Sequence, residues 1–334
     1  MHFTSPVHRP ASESRSIFLQ VTSGCSHNAC KFCRYFRGVA FCESTLEEIE
    51  ADLKELVNLP RYFPKERLFL QAADAFCLDC DRLLQIAELV HRYLPSVKSI
   101  GAYARVDDIA SKSIEQLRSL ANAGYDNLFI GVETGDDHLL SLMDKGFTSD
   151  DILREGTKLN KANLRFTVSI VNGLGGHNYG QYSAIKTARV LNEIKPAFIR
   201  PESLTVLPGS PLADDVRNGT FVEATEKERL LELAALVENL TCETVFSATQ
   251  ATLPMRLFGK LPADREYLHG TLLDFAKNAN EEELRRHRLD VVAMMLPENA
   301  LPDPMTPLLS TTKNAKMSPR HNLSWGRDFN PLEP

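Results

Sequence analysis

The stretch IFLQVTSGCSHNACKFCRYF, residues 17–36, joins a short apolar run to three closely spaced cysteines. The apolar run has the length and composition of a buried strand. Four residues separate Cys25 from Cys30 and two separate Cys30 from Cys33, in a loop that begins with Gly24. Because α/β barrels carry their reactive groups beyond the carboxyl ends of their strands, the three thiols stand where a functional centre is expected.

Short runs of strand type recur along the chain, and a stretch with helical periodicity follows each of them. The runs are nearly all apolar, as buried parallel strands are. This alternation predicts an α/β fold in which helices connect parallel strands, and its six units predict a partial (β/α)6 barrel with a helical C-terminal extension. The six predicted strands are residues 16–21, 67–72, 97–103, 127–132, 164–171 and 198–204.

The clearest predicted helix follows the cysteine loop. In residues 44–59 the apolar side chains fall on one helical face, and Ser44 with Glu47 predicts a capping box at its start. The same test predicts crossover helices at residues 81–94, 113–124 and 183–195.

After Val206 the pattern becomes mainly helical, at 224–240 and 263–279, and only ETVFSA between them has strand character. We therefore expect an N-terminal extension, a barrel core, a helical C-terminal extension and a proline-rich tail, at residues 1–15, 16–245, 246–295 and 296–334. The tail holds seven of the eighteen prolines, which favours a loosely docked segment that Trp325 and Phe329 can anchor.

The composition is that of a soluble globular protein, with 43% hydrophobic and 25% charged residues. A net charge of −6, from 38 basic and 44 acidic side chains, gives no overall attraction to nucleic acid or anionic lipid. The chain has no long apolar run and no signal-peptide pattern near residue 1, so we expect a cytoplasmic protein without a membrane partner. Seven cysteines, an odd number, fit thiols or metal ligands in a reducing cytosol.

Three thiolates in one flexible loop can bind three irons of a four-iron cluster and leave the fourth iron open. Phe32, directly before the last cysteine, can place an aromatic ring beside whatever binds the open iron. Two alternatives remain at this point: a zinc site that uses His27 or Cys42, and three unrelated buried thiols.

A second cysteine pair, Cys77 and Cys80, also follows a predicted strand. These residues are candidates for an auxiliary cluster or a redox pair. Only Cys42 and Cys242 are left to complete such an auxiliary site.

The cysteine loop resembles the signature of radical S-adenosylmethionine (SAM) enzymes, although the commoner spacing has three residues, not four, between the first two cysteines. Residues 130–146 (IGVETGDDHLLSLMDKG), 171–177 (VNGLGGH) and 205–212 (TVLPGSPL) resemble strand-end motifs of one branch of this superfamily. That branch contains oxygen-independent coproporphyrinogen dehydrogenase, the elongator-type tRNA enzymes and the methylthiotransferases. The resemblance covers roughly residues 16–245 and implies a [4Fe-4S] cluster bound by Cys25, Cys30 and Cys33, with SAM on the open iron.

The resemblance also implies which residues bind SAM. Ala73 and Asp74 stand where the family often has a glycine-glycine-acidic turn that meets the methionine ammonium group. Arg105 is a candidate partner of the methionine carboxylate, with a surface arginine as the alternative. Glu133 matches a family glutamate that commonly contacts the ribose or the amino group.

Glycines end the fifth predicted strand and complete the set of expected SAM contacts. Gly173 and Gly175 would permit the close backbone approach that an adenine edge requires. Arg200, in the sixth strand, faces either the substrate or a helix. No catalytic residue is assigned.

The resemblance implies reductive cleavage of SAM to a 5′-deoxyadenosyl radical that abstracts hydrogen from a substrate. The acidic charge favours a small-molecule substrate, such as a tetrapyrrole. The resemblance also implies a reducing partner such as flavodoxin or ferredoxin. Two alternatives are an RNA-modifying radical SAM enzyme and a non-catalytic metal-binding or iron–sulfur protein. No basic domain is visible, so we expect no nucleic-acid partner.

Overall fold

The computed structural model describes residues 1–4, 7, 9–58 and 66–295, and its strands form one large sheet and one small ribbon. The strands are β1 Ile17–Gln20, β2 Thr22–Ser23, β3 Cys42–Glu43, β4 Arg67–Gln71, β5 Ser99–Ala104, β6 Leu128–Glu133, β7 Phe166–Asn172, β8 Phe198–Ser203, β9 Thr244–Ala248 and β10 Leu257–Leu261. The large sheet has the order β1-β4-β5-β6-β7-β8-β9-β10. All neighbours in it are parallel except β9 and β10.

Helices connect the parallel strands and cover the outer face of the sheet. They are α1 Leu46–Leu56, α2 Cys80–Tyr93, α3 Val106–Ala110, α4 Ile114–Asn122, α5 Asp137–Leu142, α6 Ser149–Lys161, α7 Gly180–Ile194, α8 Pro211–Arg217, α9 Glu226–Asn239, α10 Arg265–Asn278 and α11 Glu281–Met295. This is the predicted α/β architecture, with a parallel sheet typical of a partial barrel. No helix among the described residues is long and apolar enough to cross a membrane.

The two faces of the sheet differ in chemistry. On β7, Phe166, Val168 and Ile170 belong to the main apolar core beneath the helices, whereas the alternate side chains point to the inner face. The outer face therefore stabilises the fold. The inner face is left to carry polar and aromatic side chains.

All six predicted strands are present, but the sheet continues beyond them. Part of β9 and all of β10 lie in residues 246–295, which we expected to be helical. In β10 buried and exposed residues alternate, as in an edge strand with one covered face, and it contains Gly259 and Lys260, which are weak strand formers. A five-residue strand with this composition lacks the apolar run that marks the other strands.

The observed helices differ from the predicted ones in two places. The capping box of α1 lies one residue later than predicted: Thr45 Oγ1 accepts from Glu48 N at 3.2 Å, and Glu48 Oε2 accepts from Thr45 N at 2.8 Å. Ser44 and Glu47 therefore do not form it. Helix α6 was not predicted, because its sequence SDDILREGTKLNK has few apolar residues to mark a buried face.

The N-terminal extension packs against the inner face of the sheet. The Arg9 guanidinium lies 4.7 Å from the ring centroid of Phe18. Ser12 Oγ accepts from Arg200 Nη1 at 3.1 Å, and Glu13 forms a buried ion pair with Arg67 at 2.7 Å. The proline-rich tail at 296–334, with Trp325 and Phe329, lies outside the described residues.

Candidate functional site

Aromatic rings form the floor of the inner face. Phe69 makes edge contacts with Phe18, Tyr103 and Phe129, with ring centroids 6.4, 5.3 and 5.9 Å apart. These side chains come from four neighbouring strands, so the sheet curves around them. The carboxyl ends of the strands rise above this floor and form what we call the mouth, where Gln20, Gln71, Glu133 and Glu202 stand.

The cysteine loop, residues 24–41, crosses the mouth and is fixed at both ends. The ribbon of β2 and β3 pairs Thr22 with Glu43 and Ser23 with Cys42, so the loop leaves and returns at one place. In its middle, Lys31 N donates to Met143 O at 3.1 Å. The loop is therefore held against both the sheet edge and the turn that follows α5.

Arg37 holds the cysteine segment of the loop from within. Its Nε donates to Cys33 O at 3.0 Å, and its Nη2 donates to Cys30 O at 2.9 Å and to Ala29 O at 3.2 Å. One guanidinium thus satisfies three carbonyls of a segment that has no regular secondary structure.

Cys25, Cys30 and Cys33 are free, half-buried thiols. Asn28 N donates to Cys25 Sγ at 3.3 Å. Burial raises the pKa of Cys25 to about 11 and also raises the pKa of Cys33, and the proximity of Cys30 adds to the latter rise. The raised pKa values mean that burial disfavours the thiolate forms, which a bound cation would stabilise.

The donor set fits an iron–sulfur cluster better than a single ion. No group of three or more His, Cys, Asp and Glu side chains among the described residues could hold one metal ion. In a four-iron cluster each thiolate binds a different iron, so its ligands need not converge on one point. Three free thiols on one loop, with a backbone N–H to one sulfur, meet that requirement.

Two buried cations lie beside the thiols. Arg105 is 5% exposed and lies close enough to Cys25 and Cys30 to interact with them electrostatically. Lys145 is 3% exposed and interacts in the same way with Cys33. Arg105 Nη2 donates to Lys145 O at 2.7 Å and to Asp107 at 3.1 Å. Arg105 is therefore not a surface arginine.

Glu133 has the most unusual backbone at the mouth. It lies at an irregularity in the pairing of β6 with β7 and has a φ of 66°, a conformation rare for residues other than glycine. Its Oε1 accepts from Lys145 Nζ at 3.2 Å. Such backbone strain costs free energy and persists only where the surrounding structure maintains it. It is found most often at functional sites.

Asp74 is fully buried and anchors the start of the cysteine loop. Its carboxylate accepts from Ser26 N at 3.1 Å and from Ser26 Oγ, and Cys25 Sγ lies 3.9 Å away. Ala72 has a φ of 138°, a conformation that glycine favours, and Ala73 is half-buried beside it. The turn thus has glycine-type geometry, although alanines occupy it.

Phe32, Gly173 and Gly175 are the other predicted SAM contacts. Phe32 is half-buried, with Lys145 Nζ 5.9 Å from its ring centroid. A Cβ at Gly173 would meet the guanidinium of Arg229, and a Cβ at Gly175 would meet the ring of Tyr179 at 2.8 Å. Neighbouring side chains leave no room for a Cβ at either position, so packing alone explains both glycines. Contact of these glycines with adenine stays a prediction.

Sequence reasoning missed two residues of the mouth. Lys145 lies in the quoted motif at 130–146, and its position after the Glu133 strand was the available signal. Arg200 and Glu202 are two residues apart in β8. Because side chains alternate between the two faces of a strand, the sequence could have placed both on the inner face.

Among the described residues the structure adds no ligands to the predicted auxiliary cluster or to the alternative zinc site. Cys77 and Cys80 are free thiols, and Cys80 Sγ donates to Gln116 O at 3.8 Å. Cys42 is exposed on β3. His27, the other candidate zinc ligand, has its Nε2 2.6 Å from Asp144 O.

Two curated tRNA enzymes are similar to parts of this chain. The probable threonylcarbamoyladenosine tRNA methylthiotransferase of Methanocaldococcus jannaschii is 28% identical over 227 residues, which is 64% of this chain and 50% of that protein. The tRNA-2-methylthio-N(6)-dimethylallyladenosine synthase of Sulfurihydrogenibium sp. is 28% identical over 89 residues, or 26% of this chain and 20% of that protein. The chain thus spans half or less of the curated relatives it matches. Both names include tRNA, so our expectation of no nucleic-acid partner gains no support.

Two solved structures are similar to this chain at low sequence identity. The radical S-adenosylmethionine methyltransferase TsrM from Kitasatospora setae superposes with a TM-score of 0.51 at 15% identity, covering 62% of this chain and 39% of that one. The Elp3 of Methanocaldococcus infernus gives a TM-score of 0.48 at 12% identity, covering 78% and 63%.

A family comparison covers the parallel strands from β1 to β7 together with the cysteine loop. The family model described as the Radical SAM superfamily matches residues 19–187, just over half of the chain. The superfamily's cofactors are a 4Fe-4S cluster and SAM, as the sequence implied. The chain belongs to the radical SAM superfamily.

Proposed function

We propose that this chain binds a 4Fe-4S cluster through Cys25, Cys30 and Cys33, cleaves SAM reductively and abstracts hydrogen from a small organic substrate. One observation carries the proposal: three free thiols on an anchored loop face two buried cations and Glu133 at the mouth. A non-catalytic metal-binding protein would not require a strained glutamate beside its ligands.

When bound, the cluster supplies the electron that breaks the sulfonium bond of SAM. The residues of the chain bind SAM and orient it. Arg105 and Lys145 place positive charge next to the thiolates and are suited to hold the methionine carboxylate, because ionic hydrogen bonds strengthen away from water. Asp74 keeps the loop in place through Ser26.

Glu133 is suited to accept a hydrogen bond from the ribose hydroxyls or the amino group of SAM. Lys145 fixes one carboxylate oxygen, Oε1, and leaves the other for a ligand. Below it, the rings of Phe69, Tyr103 and Phe129 keep water from the floor, as radical chemistry requires.

Anaerobic reconstitution tests the proposal. We expect about four irons and four sulfides per chain, and 5′-deoxyadenosine when dithionite and SAM are added. One zinc per chain without colour, or a full cluster that never cleaves SAM, would contradict it.

Replacement of Glu133 by glutamine should weaken SAM binding by about tenfold, because a charged acceptor is lost and the Lys145 charge is left unpaired. Cluster iron should stay at the wild-type level, since Glu133 is not a proposed ligand. Equilibrium dialysis of labelled SAM and iron assays measure the two quantities. The matched control is Glu47→Gln on the exposed side of α1. Equal loss of iron and SAM binding would show that Glu133 supports the cluster instead.

A second candidate is RNA modification, which the names of both curated relatives favour. Between Cys25 and Phe41 the loop carries Lys31, Arg34 and Arg37 and no acidic residue, and Tyr35 is 53% exposed. Cationic and aromatic side chains together suit single-stranded RNA. A gel shift with tRNA that weakens steeply with salt would favour this candidate over the first.

A further inference from the structure

We infer that Arg200 and Glu202 on the inner face of β8 form a binding subsite for a small dipolar molecule, one that carries a cationic amine at one end and a carboxylate at the other. The inference rests on the proposed function and names a substrate class for it.

Glu202 presents an unpaired carboxylate at the mouth. Within the described part of the chain it has neither a hydrogen bond nor an ion pair, and its neighbours are Glu133, Tyr103, Tyr35 and Arg200. The side chain is exposed at the mouth, and the protein atoms around it make its surroundings less polar than water. Burial raises the pKa of Glu202 to about 7, and the Glu133 charge adds to the rise. A cationic or N–H-donating ligand group would relieve both effects.

Arg200 presents a nearly unused guanidinium closer to the floor. It is 8% exposed, and its hydrogen bond in the described chain is Nη1 to Ser12 Oγ at 3.1 Å. Its Cζ lies 5.9 Å from the ring centroid of Phe129. No carboxylate among the described residues forms an ion pair with it, although a buried arginine normally has such a partner. An anionic ligand group would supply it.

The two charges attract each other without forming an ion pair: the Arg200 charge lowers the pKa of Glu202, but desolvation and the Glu133 charge raise it more. Arg200 and Glu202 are two residues apart on one face of β8, a separation of about 7 Å along a strand. Arg200 extends toward Phe129 and Ser12, whereas Glu202 lies with Glu133 and Tyr35 at the mouth. The inner face therefore offers a positive group below and a negative group above.

A further unpaired polar atom lies at the same end of the inner face. Gln71 has no exposed surface; its Nε2 donates to Gln20 Oε1 at 3.1 Å, but its Oε1 has no hydrogen-bond partner. Buried polar groups normally have partners, so this orphaned acceptor is open to a ligand with N–H groups.

Three probes of equal chain length test the inference: 5-aminopentanoate, 1,5-diaminopentane and glutarate. Each is titrated calorimetrically, without oxygen, into the reconstituted protein with SAM present. We expect 5-aminopentanoate to bind at least about tenfold more tightly than the other two, because it alone pairs with both charges.

Two variants test which side chain binds each end of 5-aminopentanoate. Glu202→Gln should abolish the preference for 5-aminopentanoate over glutarate, and Arg200→Met should abolish its preference over 1,5-diaminopentane. Glu243→Gln, an exposed glutamate just before β9, is the matched control and should leave all three affinities unchanged. Circular dichroism confirms that each variant is folded.

Equal affinities for the three probes, or selectivity that survives Glu202→Gln, would overturn the inference. So would tRNA binding without binding of any probe. Glu243→Gln should also keep cluster iron and cleave SAM in the absence of substrate. Failure of the wild-type protein to cleave SAM would instead contradict the proposed function, whatever the titrations show.

Discussion

Serine in place of Cys25, Cys30 or Cys33 is expected to abolish both cluster retention and 5′-deoxyadenosine formation. A serine hydroxyl does not ionise in this environment and is a poor ligand for the iron of a cluster, which selects thiolates. With two ligands left on one loop, iron should fall from about four per chain to near zero. Iron and sulfide assays, visible absorption and chromatography of the SAM products measure the loss.

Two other cysteines serve as matched controls for these variants. Cys42 is exposed at the end of the same loop, and Cys77 is a half-buried thiol after β4. Serine at either position should leave iron and SAM cleavage at the wild-type level. If Cys77→Ser lost iron while Cys30→Ser retained it, the assignment of the cluster ligands would be wrong.

Arg229→Met is expected to lower the free energy of unfolding by about 3–5 kcal/mol, a large part of the stability of a typical domain. Arg229 has no exposed surface. Its Nη1 donates to Asn172 O, Ser203 Oγ and Leu204 O, each at 3.1 Å. It also faces buried Glu226, 4.0 Å away. Methionine fills similar space but removes these hydrogen bonds and the buried positive charge beside Glu226, which keeps only its ion pair with Arg288.

Urea denaturation measures this loss as a lower midpoint at an unchanged slope. The control is Arg165→Met, which removes an exposed ion pair with Asp126 and should change stability by less than about 1 kcal/mol. A comparable shift in both variants would mean that burial of Arg229 adds nothing to its contribution. The result bears on the site, since Arg229 joins α9 to the ends of β7 and β8.

The sequence predicts the parallel strands well because most positions on both of their faces are buried. A run such as RLFLQ in β4 is buried at every position and has little other explanation. Strand β10 escapes prediction because only one of its faces is covered. Helix α6 escapes because buried Glu155 and Gly156 interrupt its apolar face.

Prediction of the site depends on how close its members lie in sequence. Cys25, Cys30 and Cys33 share one loop, so their spacing alone identifies them as a group. Lys145 reaches Glu133 across α5, and Glu202 comes near Tyr103 through the curvature of the sheet. Such contacts between distant residues need the tertiary structure. A strand-end position was enough to select Glu133 but not its partner.

The ribbon of β2 and β3 bears on how the holoprotein assembles. By bringing Ser23 next to Cys42, it joins the two ends of residues 24–41 through backbone pairing that needs no metal. The conformational entropy of closing that loop is therefore lost when the polypeptide folds, not when iron is inserted. The apoprotein should consequently accept a preassembled cluster with little rearrangement of its backbone.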